Sequence, residues 1–290
     1  MNNCYVPLLH PSIQQPPAAT KNDDKPPLQL RPLRLETGLN HNADGSSLVS
    51  WGRSLLLAKV QGPLPPDELP PGVMNIPEAG LLHCTVQSAS SSTIDNNHSQ
   101  QQVTPLDAAA AAHLQNNTTH HTRQRQIDLQ TQLYEALQPA VVLVPHAAVH
   151  VHVTVLQHDD ETSLLPASCL AATLALQDAR WEMVDCVVAT TVGESHDGSL
   201  RFVDPSNSNC CRSTITLAFL PNWQHVTFWE QKGKMEKVNE CLELCQQGNR
   251  TIHRFVREHW ARKLKESAEG TGSEGQGGTG SDGPKSDGPE

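Results

Sequence analysis

The sequence has no CxxC pair, no long apolar run and no excess of basic residues. Its eight cysteines follow no apolar signal-peptide core, so we expect free thiols in a reducing compartment. No stretch reaches the about 18 apolar residues that a membrane span requires, and none is expected. With histidines neutral the net charge is −10, which argues against strong nucleic-acid binding by the isolated chain.

Hydrophobic residues make up only 37% of the 290 residues, and prolines number 21. The polar excess is concentrated in three segments, which we predict to be a disordered arm (1–29), a low-complexity insertion (88–120) and a Gly/Ser/acidic disordered tail (267–290). One domain over 30–266 is then expected to contain all the packed structure, with the insertion inside it.

The centre of the chain is predicted to be a strand, a buried helix and a second strand. Valines alternate from Val149 to Val155, which is the period of a strand. Leu164–Ala179 is apolar on nearly every side, so a helix there must be covered on both sides. Thr162 or Ser163 is expected to cap that helix, and Met183–Thr191 has the composition of the second strand.

The flanking segments predict further strands and two more helices. A turn ending at Gly45, which would supply a positive φ, separates the first two strands. The strands are Leu33–Thr37, Ser47–Trp51, Leu55–Val60, Gly80–Gln87, Leu200–Phe202, Thr214–Leu220 and Val226–Trp229, and the helices are 122–138 and Met235–Leu264. Two halves that each place strands before a helix indicate a pseudo-duplicated α+β architecture.

Histidines and aspartates precede the central helix in a pattern that could bind a metal. They are His146, His150, His152, His158, Asp159 and Asp160. His150 and His152 would share one face of a strand, but zinc needs a third ligand. No partner at short fixed spacing supplies one, so ordinary strand residues are favoured over a metal site.

The last predicted helix carries Cys241 and Cys245, four residues apart, with His253 and His259 beyond them. This spacing can bind a metal, but both cysteines fall on the apolar stripe of the helix. Buried free cysteines are common in protein cores, so core packing is favoured. The vicinal pair Cys210-Cys211 lies in a predicted loop and is not expected to form a disulfide, because that geometry is strained.

No GxGxxG, P-loop or GxSxG motif is present, and no spacing of Ser and His selects a catalytic triad. Arg31, Arg34 and Lys59 could form a small basic patch. A solvated surface is favoured for these three side chains.

Three blocks of the sequence resemble the RNase PH family. LRPLRLETGLNHNADGSSLVSWGRSLLLAKVQGP resembles its opening, with an R-P segment, a DGS turn and a strand ending in GP. VHVTVLQHDDETSLLPASCLAATLALQDARWEMVDCVVATTVG resembles its central strand, helix and strand, and DGSLRFVDPSNSNCCRSTITLAFLPN its C-terminal part. The blocks cover about residues 30–265 and are most similar to the RNase PH-fold subunits of the eukaryotic RNA exosome.

The resemblance assigns positions to the family's chemistry. Active members are phosphate-dependent 3′→5′ exoribonucleases that hold phosphate with arginines and hydroxyls and place acidic residues near the scissile bond. Their arginine before the central strand corresponds to His146, and their Thr-Arg pair at the helix start corresponds to Thr162-Ser163. The first acidic position is kept as Asp204, whereas the second corresponds to Thr214.

Several residues that the reaction needs are therefore replaced. No arginine lies between Arg125 and Arg180, and the run Asp159-Asp160-Glu161 would repel phosphate. The resemblance thus implies a catalytically silent subunit with no catalytic, cofactor-binding or metal-binding residues.

Such a subunit is expected to form a heterodimer with another RNase PH-like subunit inside a six-membered ring. Cap proteins and an associated nuclease are its further expected partners, and its RNA contacts are expected to be weak. Its implied roles are rRNA processing and mRNA decay in the nucleus, nucleolus and cytoplasm. Two alternatives stay open: an active phosphorolytic exoribonuclease using Asp204 with donors such as His146, and a metal-binding protein built on the strand histidines.

Overall fold

The computed structural model describes residues 30–65, 68, 76–89, 123–158, 160–198, 200–205 and 211–270. The predicted arm and most of the predicted insertion and tail lie outside these residues. The described part contains no helix that is both long and apolar enough to cross a membrane.

Five strands form a first sheet: β1 (Leu33–Thr37), β2 (Gly45–Trp51), β3 (Ser54–Leu64), β4 (Leu81–Ser88) and β5 (Ala148–Gln157). Their spatial order is β1-β2-β3-β5-β4. The predicted antiparallel meander of β1, β2 and β3 is confirmed. β5 runs parallel to β4, and a helix at 123–137 (α1) lies in the connection between these two strands, as parallel pairing requires.

Four strands form a second sheet: β6 (Val188–Ser195), β7 (Arg201–Val203), β8 (Cys211–Leu220) and β9 (His225–Lys232). Their order is β7-β6-β8-β9, with every neighbouring pair antiparallel. The predicted hairpin at Asp197-Gly198 is confirmed, with Gly198 at φ +71° between β6 and β7.

The buried helix α2 (Leu164–Asp178) lies between the two sheets. It packs on β2, β3 and β5 from one side and on β6 and β8 from the other, so the predicted cover on both faces is confirmed. The first turns of α3 (Val238–Gly270) pack on the second sheet, where Thr190 Oγ1 donates to the Cys245 carbonyl at 2.8 Å. The α+β prediction with two strand-then-helix halves is therefore confirmed.

The β6 prediction was placed too early in the chain. Met183 forms only an isolated bridge with Val141, and β6 begins at Val188. Asp185 interrupts the run, because its carboxylate accepts the main-chain N–H groups of Cys186 at 2.8 Å and Asn222 at 2.7 Å.

The expected role of Gly45 was also wrong. Gly45 lies inside β2, and a Cβ there would be 2.2 Å from the Ala175 carbonyl oxygen of α2. Its φ is not positive; Gly38 adopts φ +77° instead. Gly45 is thus required for close approach of the helix to the sheet.

Contacts divide the chain into one unit ending at His253 and a second beginning at Arg254, within α3. The second unit contains the C-terminal part of α3, which extends to Gly270 and so passes the predicted start of the tail at residue 267.

Candidate functional site

The loop between β5 and α2 is the region to which the resemblance assigns phosphate binding. A 3-10 turn at Glu161–Ser163 precedes α2. Thr162 Oγ1 donates to Asp160 Oδ2 at 2.6 Å, and Ser163 Oγ donates back to the Asp160 carbonyl at 2.8 Å. Ser163, one of the two residues predicted as the N-cap, is the N-cap residue of α2, but its hydroxyl donates to the preceding turn and makes no side-chain capping bond. Asp159 lies outside the described residues.

Ser163 is the residue that the resemblance places where active members have a phosphate-binding arginine. Its side chain faces the interior: the residue is 1% exposed and its Oγ lies 3.3 Å from Ser54 Oγ of β3. An arginine placed on this backbone would have to displace the Ser54 contact. At this position the chain therefore has a buried hydroxyl in contact with β3 and no cationic side chain.

Glu161 and Arg125 form an ion pair of 2.6 Å beside this loop. Arg125 comes from α1, so the fold brings to the loop an arginine that is distant from it in sequence. The Arg125 side chain is 66% exposed and that of Glu161 is 52% exposed, and such a pair contributes little to stability. The Arg125 guanidinium is nevertheless paired with a carboxylate of the same chain.

Asp204 lies at the end of β7, buried and with φ +56°. Its main-chain N–H donates to the Thr191 carbonyl of β6 at 2.7 Å. Arg31 donates to its carboxylate three times: from the main-chain N at 3.0 Å and Nε at 2.9 Å to Oδ2, and from Nη2 to Oδ1. Trp51 Nε1 adds a further bond to Oδ2 at 2.7 Å.

The Arg31–Asp204 pair is buried, with side-chain exposures of 12% and 4%. The favoured interpretation of Arg31 as solvated surface was therefore wrong. Sequence spacing could not reveal the pair, since the two residues are 173 positions apart. The Asp204 carboxylate accepts four hydrogen bonds and so connects three segments: the residues before β1, the end of β2 and the end of β7.

The other two basic residues of the supposed patch have separate surroundings. Arg34 pairs with Glu36 on the same strand. Lys59 lies opposite His152 in the β3–β5 register. The described contacts therefore give no common basic surface made of Arg31, Arg34 and Lys59.

The resemblance places Thr214 where active members have their second acid. Thr214 is buried on β8, opposite Gly193 of β6. Thr191 Oγ1 donates to the Thr162 carbonyl at 2.9 Å and is itself 2.8 Å from Thr216 Oγ1. These contacts join the loop to the second sheet with neutral groups.

His146 is exposed and lies before the first residue of β5. The loop with Thr162 follows the other end of that strand. Ten residues of β5 span about 33 Å, so the structure does not bring His146 to Thr162 or Asp204. The suggestion that His146 could supply phosphate binding at Asp204 is inconsistent with this placement.

The strand histidines lie on the outer face of the first sheet and contact threonine hydroxyls. Thr85 Oγ1 is 2.9 Å from His150 Nε2 and 2.7 Å from His152 Nδ1. The His83 and His150 rings are 4.9 Å apart between centroids. Burial first, then the neighbouring His83 and His152, lower the pKa of His150 to about 4. Among the described residues no three ligand-type side chains are grouped around a possible metal position.

The cysteines of the last helix are core residues, as the favoured interpretation predicted. Cys241 and Cys245 are fully buried, and burial raises the pKa of each thiol. Cys245 Sγ lies 3.8 Å from the Ile215 carbonyl of the second sheet. Cys211 is half-buried, and Cys210 lies outside the described residues.

Two sheets around a buried helix, with the β5–α2 loop beside the end of β7, define an α+β protein with an RNase PH-like fold. A family model for the 3′ exoribonuclease family, domain 1 (RNase PH) matches residues 29–182. The chain belongs to this family.

Curated relatives and solved structures agree with that assignment. "Exosome complex component Rrp41" of Pyrobaculum calidifontis is 30% identical over 91% of this chain and 96% of its own length. The Pyrococcus abyssi protein of the same name is 27% identical, covering 87% and 92%. Rice Rrp46 shares the fold with a TM-score of 0.59 and 22% identity, over 80% of this chain and 96% of that one.

Proposed function

We propose that this chain is a non-catalytic structural subunit of the RNA exosome ring, of the type known as exosome component five in eukaryotes. The family membership and the relatives named exosome complex components support the placement in that assembly. The fold shared with rice Rrp46 and with an archaeal exosome core is compatible with it.

The ion-paired state of Asp204 is the observation that carries the non-catalytic proposal. Phosphorolysis needs cations that neutralise an attacking phosphate and an acid free to handle a proton. Here the retained acid accepts four hydrogen bonds from Arg31 and Trp51. Ser163 replaces the phosphate-binding arginine and is buried. These two features support a site that keeps the family's fold but lacks the free charges needed for the reaction.

The proposed role is to assemble with other RNase PH-like subunits as a heterodimer in a six-membered ring. Cap proteins and a separate nuclease would join that ring, and this subunit would contact RNA weakly. Its processes would be rRNA processing and mRNA decay, in the nucleus and nucleolus and also in the cytoplasm. An acidic chain with net charge −10 suits a subunit that depends on its partners for RNA affinity.

Affinity purification of the full chain from its own cells tests the assembly. We expect other RNase PH-like subunits to co-purify in equal amounts and to remain bound through size-exclusion chromatography. A monodisperse monomer that captures no such subunit would contradict the proposal.

An active phosphate-dependent exoribonuclease is the alternative, and the retention of Asp204 is the observation in its favour. Incubation with RNA and inorganic phosphate distinguishes the two, since phosphorolysis releases nucleoside diphosphates. The proposal predicts none above the level of a protein-free control. Release that requires phosphate and disappears in Asp204→Asn, with the fold intact, would establish the alternative.

A further inference from the structure

The C-terminal part of α3 is basic although the whole chain is acidic. Residues 254–266 contain five cations and two carboxylates, a net charge of +3, against −10 for the chain. The cations are Arg254, Arg257, Arg262, Lys263 and Lys265, and the carboxylates are Glu258 and Glu266. Five of the 21 basic residues therefore lie in this one short helical segment.

Three of these cations, Arg254, Arg257 and Lys265, are exposed on the helix. Within the described part of the chain none of the three forms an ion pair. Five arginines of the preceding unit differ in this respect, because each pairs with a carboxylate: Arg31, Arg34, Arg125, Arg201 and Arg212. The charges at the end of α3 are thus available to an external anion.

Helix stability does not account for these cations. Basic residues favour the C-terminus of a helix only within its last turn, and the last turn of α3, which ends at Gly270, contains none. Arg254 and Arg257 are three residues apart, so they are neighbours of like charge, an arrangement that destabilises a helix. Glu258, four residues after Arg254, offsets this repulsion only in part, and a negatively charged partner would relieve the rest.

The three exposed cations form a row along one face, on which the exposed carboxylate Glu258 also lies. Their spacings of three and eight residues keep them close in angle at 3.6 residues per turn, and the row extends about 17 Å along the axis. Beside it, Lys263 Nζ lies over the Trp260 ring at 5.0 Å from the centroid. A row of separated cations suits a chain of repeated phosphates better than a single small anion, and guanidinium groups match phosphate geometry.

We propose that this cationic row, Arg254, Arg257 and Lys265, binds the phosphate backbone of single-stranded RNA. The choice of RNA among polyanions rests on the proposed function. The inference that the row binds some polyanion rests only on its charges and their spacing. The row lies outside the β5–α2 loop in sequence, so it gives the chain an RNA contact that does not depend on the family's catalytic residues.

The test uses the full chain and a fluorescein-labelled single-stranded RNA, with anisotropy measured over a series of salt concentrations. In Arg254→Gln/Arg257→Gln we expect weaker binding and a log Kd against log salt slope that falls by about 1.4, since each lost phosphate contact on a single strand removes about 0.7. The charge-conserving Arg254→Lys/Arg257→Lys variant should keep the wild-type slope. Circular dichroism confirms that each variant is folded.

A matched control neutralises two other exposed cations that have no ion pair in the described residues, Arg180 and Lys234. Arg180→Gln/Lys234→Gln should leave the slope unchanged. An equal loss in both double variants, an unchanged slope in the test variant, or no RNA binding by the wild type at low salt would each overturn the proposal. The same titration is repeated with labelled polyglutamate. If Arg254→Gln/Arg257→Gln loses polyglutamate binding but keeps RNA binding, the proposal is overturned in favour of an acidic protein partner. Release of nucleoside diphosphates would count against the proposed function and leave this result untouched.

Discussion

Replacing Asp204 with Asn should destabilise the protein strongly, because Asp204 is the buried carboxylate that neutralises Arg31. Charge-assisted hydrogen bonds of about 1.5–3 kcal/mol each cannot simply be added, since neighbouring contacts are coupled. Breaking one partner of a buried pair costs about 3–5 kcal/mol, because the other charge stays buried. Asn tolerates the φ of +56° at this position, so we expect the free energy of unfolding to fall by about 3–5 kcal/mol without added backbone strain.

Urea unfolding followed by tryptophan fluorescence measures this change. Arg31→Met/Asp204→Asn should recover part of the loss, since removing both charges leaves no uncompensated one. As a matched control, Arg34→Met breaks the less buried pair with Glu36 and should cost no more than about 1 kcal/mol. An Asp204→Asn protein within about 0.5 kcal/mol of wild type would refute the structural role that we assign to this carboxylate.

Three further outcomes follow from the packing. Burial lowers the pKa of His150 from 6.5 to about 4, so the stability that the neutral ring provides above pH 6.5 is lost as the pH falls through 4. In His150→Gln the free energy of unfolding should therefore depend less on pH between 6.5 and 4. An unchanged slope would contradict this prediction. Gly45→Ala should lower the unfolding free energy by on the order of 1–3 kcal/mol in urea titrations, because its Cβ would meet the α2 backbone at 2.2 Å; wild-type stability would show that α2 can move aside. Burial raises the pKa of Cys169 and Cys186 to about 12, so an alkylating reagent should modify half-buried Cys211 of the native protein before either of them. Mass spectrometry of the labelled protein measures the order of modification. Early labelling of Cys169 would disprove its buried environment.

Local patterns predicted most of the fold. The valine alternation of β5 and the apolar run of α2 are visible in any short window, because strand and helix periods are local properties. Gly45 and Asp185 were misjudged for a different reason. Gly45 allows α2 to approach the sheet, and the Asp185 carboxylate accepts a hydrogen bond from Asn222, 37 positions away. Neither contact is visible in a short window of sequence.

The resemblance assigned positions to the candidate site, but it did not supply the contacts that those side chains make. The resemblance identified Ser163, Asp204 and Thr214, and the absence of arginine from the β5–α2 loop is a property of the sequence alone. The partners of these residues come from distant segments: Arg31 for Asp204, and Arg125 for the acidic turn. Long-range ion pairs follow from topology, which residue spacing does not encode.

The most direct test of the central claim is phosphorolysis by the full chain, measured alone and in the purified ring. Labelled RNA and inorganic phosphate are supplied, and nucleoside diphosphates are quantified by chromatography. The account predicts that the chain alone releases none, and that Asp204→Asn in this subunit, shown to be folded and incorporated, leaves nucleoside diphosphate release by the ring unchanged. Phosphate-dependent release by the chain alone, abolished by Asp204→Asn in a folded protein, would contradict it.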